Sequence, residues 1–86
     1  MPEISRFFGI RITMYYKDHH PPHFHAQYDS YKALIDIEKG IVLKGTLPKP
    51  QEKMVLAWCE IHRAELMNNW QRCSRYEELI SINPLT

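Results

Sequence analysis

The sequence predicts an α+β fold: a four-stranded antiparallel meander packed by one long C-terminal helix over about residues 50–76. Three observations carry that expectation. Apolar and polar residues alternate along short stretches between residues 7 and 45. Each stretch is closed by residues that favour turns. Beyond Pro50 the apolar period lengthens to that of a helix.

The first strand is expected over residues 7–16, with Ile10, Ile12, Met14 and Tyr16 on one face and Arg11, Thr13 and Tyr15 on the other. The run DHHPP ends it, because prolines remove donors and bias their neighbours to extended geometry. A second strand follows at 23–28, with Phe24, Ala26 and Tyr28 opposite His23, His25 and Gln27. Asp29-Ser30 turns the chain into a third strand at 31–38. Matching the apolar faces sets the register. Tyr28 then meets Tyr31, Ala26 meets Ala33 and Phe24 meets Ile35. On the other face Gln27 meets Lys32, His25 meets Leu34 and His23 meets Asp36.

A three-residue loop, 38–40, with Gly40 free to take positive φ, leads to a fourth strand at 41–45. It pairs Ile37 with Ile41 and Ile35 with Leu43. Pro48 and Pro50 suit a helix entrance, where a missing N–H costs nothing. At 100° per residue, Val55, Trp58, Cys59, Leu66 and Trp70 form one apolar arc, with Glu60, Arg63 and Gln71 opposite. Leu56, Ala64 and Met67 make a second apolar strip that would fit binding to another chain. The tail, LISINPL, is read as an extended segment able to add to a sheet edge.

Eighty-six residues, 44% of them apolar, support a single domain over 1–86 with one modest core. That size excludes a two-lobed enzyme. A formal charge of +1, from 11 basic and 10 acidic residues, argues against a dedicated nucleic-acid binder. No run approaches the ~20 apolar residues of a membrane helix, and the start lacks a signal-peptide stretch. A cytoplasmic protein with no membrane partner is expected. Cys59 and Cys73 fall 14 residues apart on one expected helix, roughly 21 Å, too far to bridge. They are read as reduced, structural thiols.

Four of the five histidines fall within residues 19–25. His19, His23 and His25 are the candidate catalytic residues, with Asp36 across the sheet orienting His23 and raising its basicity. Arg11, Tyr15 and Lys32, with Lys44, share the outer face and are candidate substrate contacts for RNA phosphate and base. This reading needs no cofactor. The alternative uses His19, His23 and His25, with Asp18, as ligands of a divalent transition metal. The plainer reading makes these histidines half-exposed strand and loop residues paired with tyrosines and carboxylates. His62, inside the helix's apolar arc, reads as a core histidine satisfied by a sheet carbonyl or a tyrosine.

MPEISRFFGI, MYYKDHHPPHFHAQY, YKALIDIEKGIVLKGTLP and WCEIHRAELMNNW together resemble a family of small bacterial proteins. Its hallmark is H-x-P-P-H-F-H-A, here His19 to Ala26, and the likeness runs from Met1 to about Trp70. The family is known as a domain of unknown function, and some members carry the name DhiT as toxins of type II toxin–antitoxin pairs. The positions that match are Asp18, His19, Pro21, Pro22, His23, His25, Asp36, His62 and Trp70, while His20 falls at the variable position. The resemblance implies a toxin-like protein neutralised by an antitoxin encoded nearby. Joined to the histidine cluster, it suggests action on RNA or translation and, if enzymatic, a small His-dependent ribonuclease-like activity. A non-catalytic interaction module, using the second helical strip, is the further alternative, and the sequence leaves homodimerisation open.

Overall fold

The computed structural model describes residues 2–86. The elements are β1 (Glu3–Phe7), β2 (Ile10–Thr13), β3 (His23–Tyr28), β4 (Tyr31–Asp36), β5 (Ile41–Gly45), α1 (Lys49–Ile61) and α2 (Arg63–Ser74). The strands form one antiparallel sheet in the order β1-β2-β3-β4-β5. The class is α+β as expected, with five strands rather than four and two helices rather than one.

The additional strand comes from dividing what alternation alone reads as 7–16. Phe8 and Gly9 take φ values of 48° and 80°, and a two-residue hairpin needs left-handed backbone at both positions. Phe8 is in phase with Ile10 and Ile12, yet at this tip it is 60% exposed. The alternation of β1 is broken by an irregularity between Glu3 and Ser5, so Ile4 and Ser5 are both buried.

The β3–β4 register is the expected one at all six pairs, from His23↔Asp36 to Tyr28↔Tyr31. The β4–β5 register differs. Ile35 pairs with Val42 and Asp36 with Ile41, while Leu34 pairs with Lys44, leaving Leu43 as an extra residue in a bulge. The loop has four residues instead of three. Asp36 fixes it: its Oδ1 accepts the Lys39 N–H at 2.8 Å and its carbonyl accepts the Gly40 N–H at 2.9 Å. One added residue reverses strand parity. Val42 therefore packs on the core, and Ile41 and Leu43 are 47% and 41% exposed.

α1 starts at Lys49, with Pro50 in its first turn, and buries Val55, Trp58 and Cys59. α2 buries Leu66, Asn69, Trp70 and Cys73. The interruption falls at His62 (φ −109°, ψ 24°), although His62 N–H still reaches Trp58 O and Leu66 N–H reaches His62 O. The periodic pattern runs straight through this point, with no proline or glycine to mark it. Locally, His62 and Glu65 occupy N-cap and third-residue positions and pair at 2.6 Å. Arg63 Nε donates to Ile37 O at 2.9 Å, tying the junction to the β4–β5 loop. Leu56 and Met67, expected on a free strip, pack partly buried against the core.

Trp58, fully buried, sits at the centre of the core against Phe7 (5.2 Å) and Phe24 (5.7 Å). Its Nε1–H donates to Asn83 O at 2.8 Å, so the tail is pinned to the helix layer. Buried Asn69 clamps both backbone groups of Ile80, accepting its N–H at 2.9 Å and donating to its carbonyl at 2.8 Å. The tail touches the sheet edge through Ile82 N–H to Ile4 O at 2.8 Å, but it does not add a strand. Cys59 and Cys73 are free and buried. Burial pushes the Cys59 thiol up to about 11 and raises Cys73 as well, which keeps both protonated.

Gly45 ends β5 at φ +81°, and a Cβ there would stand 2.2 Å from Lys32 O. Gly45→Ala is expected to destabilise the protein by about 1–3 kcal/mol from the backbone alone, and by more from the clash. Asn69→Ala removes both bonds to Ile80 and should cost about 1–3 kcal/mol. Urea denaturation midpoints measured against the wild type check both values.

Candidate functional site at the end of the sheet

β3 carries His23 and His25 on one face, because strand side chains alternate. The connection from β2 brings a carboxylate to them. Residues 14–22 fold back across the sheet end, held by Met14 N–H to Pro2 O (3.2 Å) and Ile37 N–H to Pro22 O (3.0 Å). Lys17 in this segment takes φ 55°, and the His20–Pro21 peptide is cis.

Asp18 is the hub. His23 Nε2 lies 2.9 Å and His25 Nε2 3.2 Å from the same oxygen, Asp18 Oδ2. The other oxygen, Oδ1, accepts the His19 backbone N–H at 2.9 Å. On the far side of the His23 ring, Nδ1 is 2.8 Å from Pro21 O. A carbonyl can only accept, so His23 Nδ1 carries a proton and donates. Nε2 of that ring then faces a carboxylate oxygen, and a positive centre belongs between them.

The surroundings are aromatic. His23 is buried, with 6% exposure, against Trp70 of α2 at 5.3 Å between ring centroids. His20 meets the same indole edge-on at 5.8 Å. His25 is half-buried and meets Tyr15 edge-on at 4.3 Å. Burial on its own would raise the Asp18 carboxyl, but the His19 N–H and the two imidazoles outweigh it and hold the group below its ordinary range. Burial pushes His25 down, and the charge of His23 adds to this against the opposing pull of Asp18.

Two hollows flank the cluster. On the outer sheet face, a groove of about 360 Å³ is lined by Thr13, Tyr15, His25, Gln27, Lys32, Leu34 and Lys44, among others. Behind the loop, a cavity of about 180 Å³ is lined by Lys17, Asp18, His20, Trp70, Cys73 and Ser74. Asp18 and His25 touch different hollows, so the cluster stands between them.

The expected site residues divide accordingly. His23 and His25 come together, and Tyr15, Lys32 and Lys44 line the groove beside His25. His19 contributes its backbone N–H, while its side chain is exposed outside the cluster. Asp36 pairs with His23 across the strands, but its carboxylate caps the Lys39 turn; the orienting carboxylate is Asp18. Arg11 turns away to Glu3, at 3.1 Å, instead of lining the groove. His62 is separate from the cluster and takes Glu65 as its partner, with Trp58 at 5.5 Å, in place of a sheet carbonyl. Residue reasoning gave Asp36 the part that belongs to Asp18. The available signal is a carboxylate separated from a Pro-Pro turn by two residues, close enough in sequence to fold back on the strand that follows.

A family described as "Domain of unknown function (DUF4160)" matches residues 9–71, which contain the whole cluster, the groove and most of both helices. Comparison with curated proteins and with solved structures found no match. Among the described residues, no helix is long and apolar enough to cross a membrane.

The Asp18 and His25 shifts have the same sign for stability. Each group is held in its unprotonated form by folding, so the unfolded chain binds more protons as pH falls. Their stabilisation is complete above the unfolded values. For His25 it is lost on descending from about 6.5, and for Asp18 on descending from about 3.9. Urea midpoints should therefore fall between pH 7 and 5, and His25→Gln should flatten that decline. A decline of unchanged slope in the variant would show that His25 does not cause it.

Proposed function

The chain belongs to the DUF4160 family, and we propose that it is the toxin-like component of a type II toxin–antitoxin module, acting on RNA in the cytoplasm. The toxin part of this reading rests on the resemblance carried by the His19–Ala26 hallmark, and its partner is a small antitoxin-like protein encoded nearby. The RNA part rests on one observation: the outer groove sets Lys32 and Lys44 beside Tyr15 and His25. Two ammonium groups on a concave face suit phosphate, and a tyrosine ring offers a base a stacking surface. A protein with no general basic excess can bind RNA in this way, through a local patch.

His25 is the imidazole presented to the groove. Asp18 and the buried His23 hold it from behind. In RNA cleavage, His25 takes the proton of a ribose 2′-hydroxyl as that oxygen bonds to the adjacent phosphorus; the O5′–phosphorus bond breaks and solvent supplies the leaving oxygen's proton. A pKa pushed down by burial suits a base that must be neutral near pH 7.

Inducible expression of the chain alone should arrest growth and fragment cellular RNA, and co-expression of the neighbouring protein should reverse both. His25→Ala should abolish RNA cleavage while leaving binding to single-stranded RNA nearly intact. Lys32→Ala with Lys44→Ala should weaken that binding and lower the slope of log affinity against log salt by about one per lysine removed. Growth arrest that survives both variants would sink the groove as the functional surface.

A further inference from the structure

We infer that Asp18, His23 and His25 form a binding site for a divalent transition metal ion. The inference goes beyond the RNA reading and does not depend on it. It starts from the proton count at His23. That ring donates from Nδ1 to Pro21 O, so Nε2, facing Asp18 Oδ2 at 2.9 Å, either carries a second proton or offers its lone pair to a cation. His25 Nε2 aims at the same oxygen from 3.2 Å. Two ring nitrogens and a carboxylate oxygen thus converge, a donor set that could hold a metal ion.

The spacing admits a metal ion as well as a proton. Metal–nitrogen and metal–oxygen bonds near 2.1 Å put adjacent ligand atoms roughly 3.0 Å apart at right angles and roughly 3.4 Å apart in a tetrahedron. The distances to Asp18 Oδ2, 2.9 and 3.2 Å, fall at the lower edge of that range and inside it, and all three ligand atoms lie within 4.8 Å of one another. Outer contacts already fix the ligands: Pro21 O sets the tautomer of His23, and the His19 N–H holds the second oxygen of Asp18. Trp70 and Tyr15 supply an apolar wall beside the two imidazoles.

Two imidazoles and one carboxylate select borderline ions such as Zn²⁺, Fe²⁺, Co²⁺ or Ni²⁺ over Mg²⁺ or Ca²⁺. Three protein ligands leave room for water, the mark of a reactive rather than a purely structural site. An ion bound at His25 Nε2 would leave the ring proton on Nδ1, so the proton-accepting role in the groove would pass to metal-bound water.

The test uses full-length protein purified without a histidine tag and stripped with a chelator. Zn²⁺ is titrated by calorimetry, and Co²⁺ by its visible absorption, which reports coordination directly. The expected result is one ion per chain. Asp18→Asn and His25→Gln should weaken Zn²⁺ binding by more than the roughly 10–100-fold that losing an outer-shell partner costs. His19→Ala and His20→Ala should leave it unchanged. Asp18→Asn preserves size and hydrogen-bonding capacity, and His25 is only half-buried, so both variants should fold, as circular dichroism would show. Absence of saturable one-to-one binding would overturn the inference, leaving a proton as the cation. Binding that survives Asp18→Asn and His25→Gln, or disappears in His19→Ala, would overturn it equally. Metal binding without growth arrest would uphold the site and defeat the toxin reading; arrest without metal binding would do the reverse.

Discussion

The parity of the β3–β4 hairpin is the constraint on which the other features depend. Its two-residue turn at Asp29-Ser30 fixes which residues face the helices and which face out. Phe24, Ala26, Ala33 and Ile35 go under Trp58 and its neighbours, and all four are buried. His25, Gln27, Lys32 and Leu34 are thereby committed to the other face, where they line the groove. A slip of one residue would put imidazole and ammonium groups into the core and phenyl and isopropyl-like groups into water. The apolar half of the hairpin thus enforces the placement of the polar half, and the site inherits its precision from the core.

That constraint leaves the sheet end open, and the loop at 14–22 closes it. His23 stands at the first position of β3, where the sheet no longer separates its two sides. Trp70 from α2 therefore reaches the ring from the helix layer while Asp18 reaches it from the loop. The described residues form one sheet and one helix layer, with no second lobe among them to build a cleft. Converging a strand start, a loop and a helix at one end of the sheet is an economical way to desolvate an imidazole within a single layer pair. Pro21 and Pro22 serve this closure through their carbonyls, one accepting from His23 and the other from Ile37.

The parts of the fold legible in the sequence are those governed by short-range pattern. Alternation between 23 and 36 gave six correct pairs because each residue type agreed with its face. The β4–β5 register was not legible in the same way. Ile37, Ile41 and Leu43 invited apolar pairing, but the Asp36 side chain bonding to Lys39 N–H set a longer loop and reversed the parity. A polar side chain capping a turn outweighed a hydrophobic match, because turn type and loop length fix the register of a hairpin. Phe8-Gly9 was hidden similarly, since a phenylalanine at positive φ looks like the next apolar residue of a strand. The break at His62 had no marker beyond the His62–Glu65 spacing, which serves a helix interior equally well.

The same competition explains the site. Asp36 and Asp18 both offered a carboxylate to His23: Asp36 by cross-strand register, Asp18 by a loop whose path cannot be read from periodicity. Register places Cβ atoms near each other, but it does not say what each carboxylate prefers to accept. Asp36 sits where a tight turn leaves an N–H pointing back at it, and an aspartate there satisfies that donor within its own segment. Once committed, it has no reason to cross the strand. His23 is then left with two ring nitrogens in a buried setting, and a buried polar group without a partner is costly. Pro21 and Asp18 meet that need from the same short loop. On this view, the segment between β2 and β3 folds as it does because the His23 ring must be satisfied on both edges. The convergence with His25 follows, since the next outward position on the strand falls within reach of the same carboxylate oxygen.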